Sequence, residues 1–140
     1  MSTHVEYYKV AMAAYGQGDN ASAIEAFEKA LVEKPDWTEA MHGLALALMH
    51  MDELDRAIEV GHAIAKIDKE DPFAHTSLSM FYQRKSQIAE KAGLEKEAKE
   101  LIKTAEDQGS KARLLSWKIE LRTNPTAPPP GPIGSMDVID

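Results

Sequence analysis

The sequence predicts an all-α protein built from helical hairpins, and three observations support that class. Alanine and leucine are abundant and only 6% of the 140 residues are aromatic, a composition that favours helices over sheets. The chain resembles itself when it is shifted by 34 residues. Turn-forming residues, at 16–20 and at Pro35-Asp36, interrupt the apolar helical pattern between the repeated parts.

The internal repeat is the most informative of these observations. The shift of 34 residues places Ala23-Ile24-Glu25 on Ala57-Ile58-Glu59 and Leu44 on Leu78. Small residues on apolar helical faces allow two helix axes to approach closely. We therefore expect each unit to be a helical hairpin that buries its apolar face against the next unit.

The repeated unit resembles the tetratricopeptide repeat (TPR), whose period is about 34 residues. The first unit has aromatic, small and turn residues at the matching positions: Tyr7, Val10, Ala11, Gly18, Ala23, Phe27, Ala30 and Pro35. The second unit has Asp52 in place of the turn glycine and Gly61 in place of the aromatic residue. The resemblance implies a right-handed solenoid of about three TPR hairpins, a capping helix and an extended Pro-rich tail.

Caps and helix breakers predict the boundaries of these parts. The TPR domain is expected at 1–123, with repeats at about 4–37, 38–71 and 72–109, a seven-residue insertion near 86–92, a capping helix at 110–122, and a Pro-rich linker with an apolar end at 124–140. Gly109 is interpreted as the stop before the capping helix. The spacing of Asp36 and Glu39 predicts a capping box, and Asp71-Pro72 predicts an N-cap followed by proline in the first turn.

The polar residues predict no catalytic, metal or cofactor site. His42, His50 and His75 have no carboxylate or histidine four residues further along the helix, so we interpret them as solvated or core residues. No phosphate-binding glycine loop, nucleophile elbow or zinc-protease motif is present, and there is no cysteine. The formal net charge of −7 and the interleaving of Lys and Arg with acidic residues argue against a nucleic-acid partner.

The apolar segments are too short to predict insertion into a membrane. The longest nearly apolar run, 43–49, is far shorter than the ~18 residues that indicate a membrane span. The N-terminal residues show no basic segment followed by an apolar core. We therefore expect a soluble, cytoplasmic protein.

The predicted site is a peptide groove. In TPR proteins the first helices of successive hairpins line a concave groove, and the resemblance assigns to it Val5, Tyr8, Met12, Tyr15, Glu39, His42, Leu46, Met49, His50, Phe73, Thr76, Met80, Gln83 and Arg84. Methionines adapt to varied shapes and aromatic faces stack on proline rings, so this lining favours an apolar or proline-containing segment. One group of TPR proteins grips acidic chaperone tails with a clamp of Lys, Asn and Arg side chains. The positions that match this clamp carry no cation here, and they are Tyr8, Met12, Gly43, Phe73 and Ser77.

The predicted function is a non-enzymatic adaptor or scaffold that binds a peptide or helix of a partner protein. As an alternative, the tail is a recognition motif for another protein, carried by Ile133, Met136, Val138 and Ile139. Residues 133–136 are similar to the Gly-Ser-Leu core of peptides that load cargo into encapsulin shells. The tail is equally interpreted as an autoinhibitory segment for its own groove, and the helix face around Leu115 and Ile119 as either a homodimer contact or ordinary packing.

Overall fold

The computed structural model describes residues 3–131, and in that range the chain forms six α-helices and no strand. The helices are α1 (His4–Gly16), α2 (Asn20–Glu33), α3 (Thr38–His50), α4 (Leu54–Ile67), α5 (Pro72–Lys91) and α6 (Glu95–Thr123). They divide into two compact units, with the boundary between Lys69 and Glu70. The all-α prediction is confirmed.

The first unit contains two helical hairpins that pack through small residues. α1 packs against α2, α3 against α4, and α2 against α3. Ala23, Ala30 and Ala57 are fully buried, as the predicted close approach of helices requires. The ring of Phe27 fills the space between α2 and α3, because Gly43 presents no side chain to it.

The turns of the first unit depend on residues that accept a left-handed backbone. Gly18, between α1 and α2, has φ of 80°, and Asp52, one repeat later, has φ of 57°. Aspartate is among the few residues besides glycine that tolerate this region, which explains why it replaces the turn glycine in the second repeat. Asp36 also has positive φ, 63°, and Trp37 is the N-cap of α3 without a side-chain cap bond. The predicted capping box at Asp36 is therefore wrong.

The second unit is one long hairpin of α5 and α6. α5 has 20 residues against 13 in α1, because the insertion near 86–92 continues the helix instead of forming a loop. The hydroxyl of Ser86 is buried and donates to the carbonyl of Ala98 at 2.7 Å, which joins the added turns to α6. Asp71 caps α5 by accepting from the Phe73 amide at 2.9 Å, with Pro72 in the first turn, as predicted.

α6 is a single helix of 29 residues, so Gly109 does not end it. A Cβ on Gly109 would lie 3.6 Å from the Ser79 hydroxyl, an ordinary packing distance between α6 and α5. The predicted stop at Gly109 is wrong, and 110–122 is the continuation of α6 rather than a separate capping helix. The buried side chains of Ala105, Gln108 and Ala112 run through this point and keep one face of α6 on the hairpin.

The chain turns back after α6. Residues 124–131 form no helix, as their prolines predict. The indole N–H of Trp117 donates to the carbonyl of Ala127 at 3.0 Å, and Ala127 is buried. The start of the Pro-rich segment therefore packs on α6, while the predicted motif at Ile133, Met136, Val138 and Ile139 lies outside the described residues.

Candidate interaction surfaces

One surface of the first unit is built where α1 lies beside α3, and we call it the α1/α3 surface. Its predicted members on α1 are spaced three and four residues apart, which places them on one helical face: Val5, Tyr8, Met12 and Tyr15. Those on α3 are Glu39, His42, Leu46 and His50. The Tyr15 hydroxyl lies 3.1 Å from Nε2 of His50, so the C-terminal ends of α1 and α3 are joined at this surface.

Most of these predicted side chains reach solvent. Val5 and Met12 are each 43% exposed, and Glu39 and His50 are also exposed. The remaining four, Tyr8, Tyr15, His42 and Leu46, are partly exposed. The surface therefore offers apolar and aromatic area with few charges.

Met49 is a correction to the predicted lining. It is only 5% exposed and belongs to the core of the first unit. Its neighbour His50 is exposed instead, because adjacent helical residues point about 100° apart. Binding at the α1/α3 surface is therefore not expected to involve Met49 directly.

Sequence reasoning missed an aromatic cluster at the start of α3. The ring of Trp37 lies 4.9 Å from that of Tyr8 and 5.2 Å from that of His4, with the His4 ring edge-on. The Lys34 ammonium lies 5.0 Å from the Trp37 ring centre, within cation–π distance. Trp37 directly follows Pro35-Asp36 at the end of the first predicted repeat, and no role was predicted for it. A large aromatic residue next to a helix start was the available signal.

The predicted residues of the second unit lie on α5. Phe73 is 70% exposed and Met80 is 38% exposed, and Thr76 and Gln83 are also exposed. Arg84 is partly exposed. This face of α5 therefore shares the apolar, methionine-containing character of the α1/α3 surface.

Two histidines, His75 and His50, lie within hydrogen-bonding distance of neutral side chains. Nδ1 of His75 lies 2.7 Å from the side-chain oxygen of the buried Gln108, within the second unit. His50 pairs with Tyr15. Over residues 3–131 there is no group of three or more histidine, aspartate or glutamate side chains placed to hold a metal ion.

The pattern of hairpins agrees with a comparison against known families. The sequence model of the tetratricopeptide repeat matches residues 14–79, which include α2, α3 and α4. Residues 14–79 therefore contain tetratricopeptide repeats. The TPR resemblance of the first two repeats is therefore confirmed, including the second repeat, which has Asp52 and Gly61 at the altered positions.

The curated relatives of this TPR chain are assembly proteins. It is 28% identical over 109 residues to the photosystem I assembly protein Ycf3 of Prochlorococcus marinus (strain MIT 9303), an alignment that covers 76% of this chain and 63% of that protein. It is 27% identical over 122 residues to the Ycf3 protein of Synechococcus sp. (strain CC9605), covering 85% of this chain and 66% of that protein. The chain thus spans just under two thirds of the length of these relatives.

The described helices include none that could cross a membrane: over 3–131, each is too short or too polar for a span. α6 is the longest, and its charged residues recur along its whole length. This agrees with the short apolar runs of the sequence.

Proposed function

We propose that this TPR chain is a non-enzymatic adaptor that holds a segment of another protein on the α1/α3 surface. The observation that carries the proposal is the exposure of apolar and aromatic side chains, led by Met12 and Val5, beside the Tyr8–Trp37 ring pair. Side chains of this kind supply most of the energy of protein interfaces. Exposed apolar area next to partly buried aromatic rings is typical of a recognition surface.

The chemistry of this surface favours an extended apolar or proline-containing segment. Met12 is unbranched and adapts its shape to different side chains. The partly exposed rings of Tyr8 and Trp37 offer faces on which a proline ring stacks. The exposed Phe73 and Met80 of α5 have the same chemistry, and we propose that this face of the second unit by itself also binds apolar segments.

The names of the relatives support a general kind of function rather than a particular partner. The Ycf3 proteins are named for the assembly of photosystem I, and an assembly protein has to hold other polypeptides. We propose that this chain likewise holds a polypeptide segment while a larger complex forms.

The test is a peptide array followed by solution affinities for the peptides that bind. The expected ligands are apolar or proline-containing, and Tyr8→Ala and Met12→Ala should each weaken binding by ~1–3 kcal/mol, since a few large side chains dominate interface energies. The matched control is Val32→Ala, because Val32 is an apolar residue of α2 that is 78% exposed and outside the proposed surface. Circular dichroism checks that helicity is kept, because Tyr8 also contacts the buried Phe27 ring.

A salt titration gives an independent result. Since little of the proposed binding is ionic, a severalfold increase in salt should change the affinity only slightly. Binding that collapses with salt, or that is the same in Tyr8→Ala, Met12→Ala and Val32→Ala, would contradict the α1/α3 surface as the site.

A second candidate function concerns the tail, and its role as an autoinhibitory segment for its own groove stays a prediction, because the hydrogen bond of the Pro-rich segment is with Trp117, which is not a predicted groove residue. The hydrogen bond from Trp117 to Ala127 holds the start of the Pro-rich segment on α6. The encapsulin-like motif beyond it lies outside the described residues and stays a prediction. The homodimer contact at Leu115 and Ile119 also stays a prediction, with Ile119 38% exposed and Leu115 partly exposed.

A further inference from the structure

The second unit contains a cleft that is already in contact with a peptide segment of the same chain. We call it the α5/α6 cleft, and its walls are Thr76 of α5 with Ala112, Arg113, Ser116, Trp117 and Glu120 of α6. Pro128 and Pro130 face these residues across it. All of these residues belong to the second unit.

The contact between the cleft and this segment has the chemistry of polyproline recognition. Trp117 donates its indole N–H to the carbonyl of Ala127 at 3.0 Å, and three prolines follow directly. Proline has no N–H, so carbonyl oxygens are the only backbone groups that a proline-rich segment offers, and an indole is a donor only. Consecutive prolines favour the polyproline II helix, which aromatic-lined grooves bind.

Burial shows that this contact is more than a surface hydrogen bond. Ala127 is only 6% exposed, and Trp117 is partly buried beneath the segment. Thr123, the last residue of α6, is separated from Ala127 by 124–126, which turn the chain back. Ala127 is therefore seated against α6 by its methyl group and by its carbonyl, whereas Pro128 and Pro129 are exposed and Pro130 is half-buried.

The seated segment does not fill the cleft. About 350 Å³ of open space remains between Pro128 and Pro130 and the walls formed by α5 and α6. Space of that order accommodates several non-hydrogen atoms of a ligand. A proline-rich segment with larger side chains than those of 127–131 would make contacts that the chain's own segment does not make.

We propose that the α5/α6 cleft is a binding site for a proline-rich segment of a partner protein in the polyproline II conformation. In the isolated chain Ala127 occupies the Trp117 end of the site, with Pro128 and Pro130 at its border, and this segment exchanges with the partner segment. The site lies in the second unit, so the proposal does not rest on the function proposed for the α1/α3 surface.

The short tether sets how strongly the chain's own segment competes. Only residues 124–126 separate it from α6, and a short tether gives an effective concentration of about a millimolar or more. The apparent affinity for an external segment is reduced by the fraction of molecules in which the cleft is occupied. Release of the tethered segment should therefore reveal a tighter site.

The experiment compares the full chain with the full-length variant Ala127→Asp. A charged side chain at this buried position should release the segment, because a buried carboxylate without a partner is unfavourable. The probe is the hexapeptide Ala-Pro-Pro-Pro-Gly-Pro, which repeats residues 127–132. Calorimetry should give an affinity for the variant about tenfold or more above that of the unaltered chain.

Nuclear magnetic resonance of the two indole N–H groups locates the binding. In Ala127→Asp the Trp117 signal should shift, and added hexapeptide should return it toward its original position. The Trp37 signal reports the α1/α3 surface separately, and its response to the hexapeptide should be the same in the variant and in the unaltered chain. A hexapeptide with alanine in place of each proline is the control and should not bind. Adding Trp117→Phe to Ala127→Asp keeps an aromatic ring but removes the donor, so it should lower the affinity about five- to tenfold, as the loss of one well-placed hydrogen bond does.

Several results would overturn the proposal. One is that Ala127→Asp binds the hexapeptide no more tightly than the unaltered chain, and another is that it binds the alanine peptide equally well. Loss of hexapeptide binding in Tyr8→Ala instead of Trp117→Phe would assign the peptide to the α1/α3 surface. A Trp117 signal that depends on protein concentration without peptide would identify a second copy of the chain as the occupant.

Discussion

Gly43 of α3 lies against the ring of Phe27 of α2, and a Cβ placed on Gly43 would be 2.3 Å from Cζ of that ring. Phe27 is fully buried, so its ring has no free space into which to move. The contact between the two TPR hairpins of the first unit therefore depends on the absence of a side chain at one position.

Gly43→Ala should lower the free energy of unfolding by ~1–3 kcal/mol, because a single methyl group would overpack a filled core. Gly16→Ala is the matched control, since a Cβ at Gly16 has no atom within 4 Å. Urea unfolding followed by circular dichroism gives both values. Equal stability of the two variants would contradict the tight contact between Gly43 and Phe27.

Ala23→Leu and Ala57→Leu should each destabilise the chain by ~1–3 kcal/mol, because both alanines are fully buried between helices and cannot take a larger side chain without backbone movement. Ala21→Leu changes the same residue type at an exposed position of α2 and should leave stability nearly unchanged. Thermal unfolding of the three variants provides the comparison. If leucine at both buried positions left thermal stability unchanged, the hairpin packing described for α2 and α4 would be contradicted.

Gly109→Ala should stabilise the chain by about 0.5–1 kcal/mol, because alanine is the better residue inside a helix and its methyl group would meet only the Ser79 hydroxyl at 3.6 Å. The same change at Gly93 should destabilise by ~1–2 kcal/mol, because the φ of 81° in the turn between α5 and α6 disfavours any side chain. Chemical denaturation distinguishes the two. A loss of stability in Gly109→Ala would indicate that α6 is interrupted there after all.

Asp19, the N-cap of α2, should make stability depend on pH. Hydrogen bonds from the Ser22 hydroxyl and from its backbone N–H lower the pKa of Asp19 below its ordinary value of 3.8. A depressed pKa contributes stability that is present above pH 3.8 and is lost as the pH falls through the lower folded-state pKa. A carboxyl titration by nuclear magnetic resonance should show an inflection below 3.8.

Asp19→Asn is the control for that pH effect. Asparagine is also a good N-cap but does not titrate. The melting temperature of the variant should therefore fall less than that of the unaltered chain when the pH is lowered from neutral to strongly acidic. Identical acid sensitivity in the two proteins would show that Asp19 does not contribute.

The parts of the fold that depend on local sequence were predictable. Repeat spacing and buried alanines such as Ala23 and Ala57 indicated the hairpins, and Asp71-Pro72 fixed the start of α5, because these signals act over a few residues. The predicted end of a helix at Gly109 was wrong. Glycine is common after helix ends, but the continuous buried face of α6 on α5 stabilises the helix through this position, which a local pattern does not show.

The candidate site was predictable to the level of the helical face but not of each side chain. Tyr8 and Met12 lie on one face of α1, as their spacing predicts, with Met12 exposed and Tyr8 half-buried, and their part in binding stays a prediction. Met49 and His50 were both assigned to the lining, but neighbouring helical residues point about 100° apart, and only His50 is exposed. The contact of Trp117 with Ala127 could not be derived from spacing, because it depends on how 124–126 turn the chain back.

A helix of 29 residues is about 43 Å long, and this gives α6 the properties of a fixed spacer. Its first turn lies at the tip of the second unit, beside the turn at Gly93, and its last turns carry the Trp117 indole. Glu95 and Trp117 are 22 residues apart, about 33 Å along the helix axis, so a ligand at the tip and another at Trp117 would be kept about 3 nm apart without touching each other. Shortening α6 by a whole number of turns would change that separation and leave the direction of each contact the same.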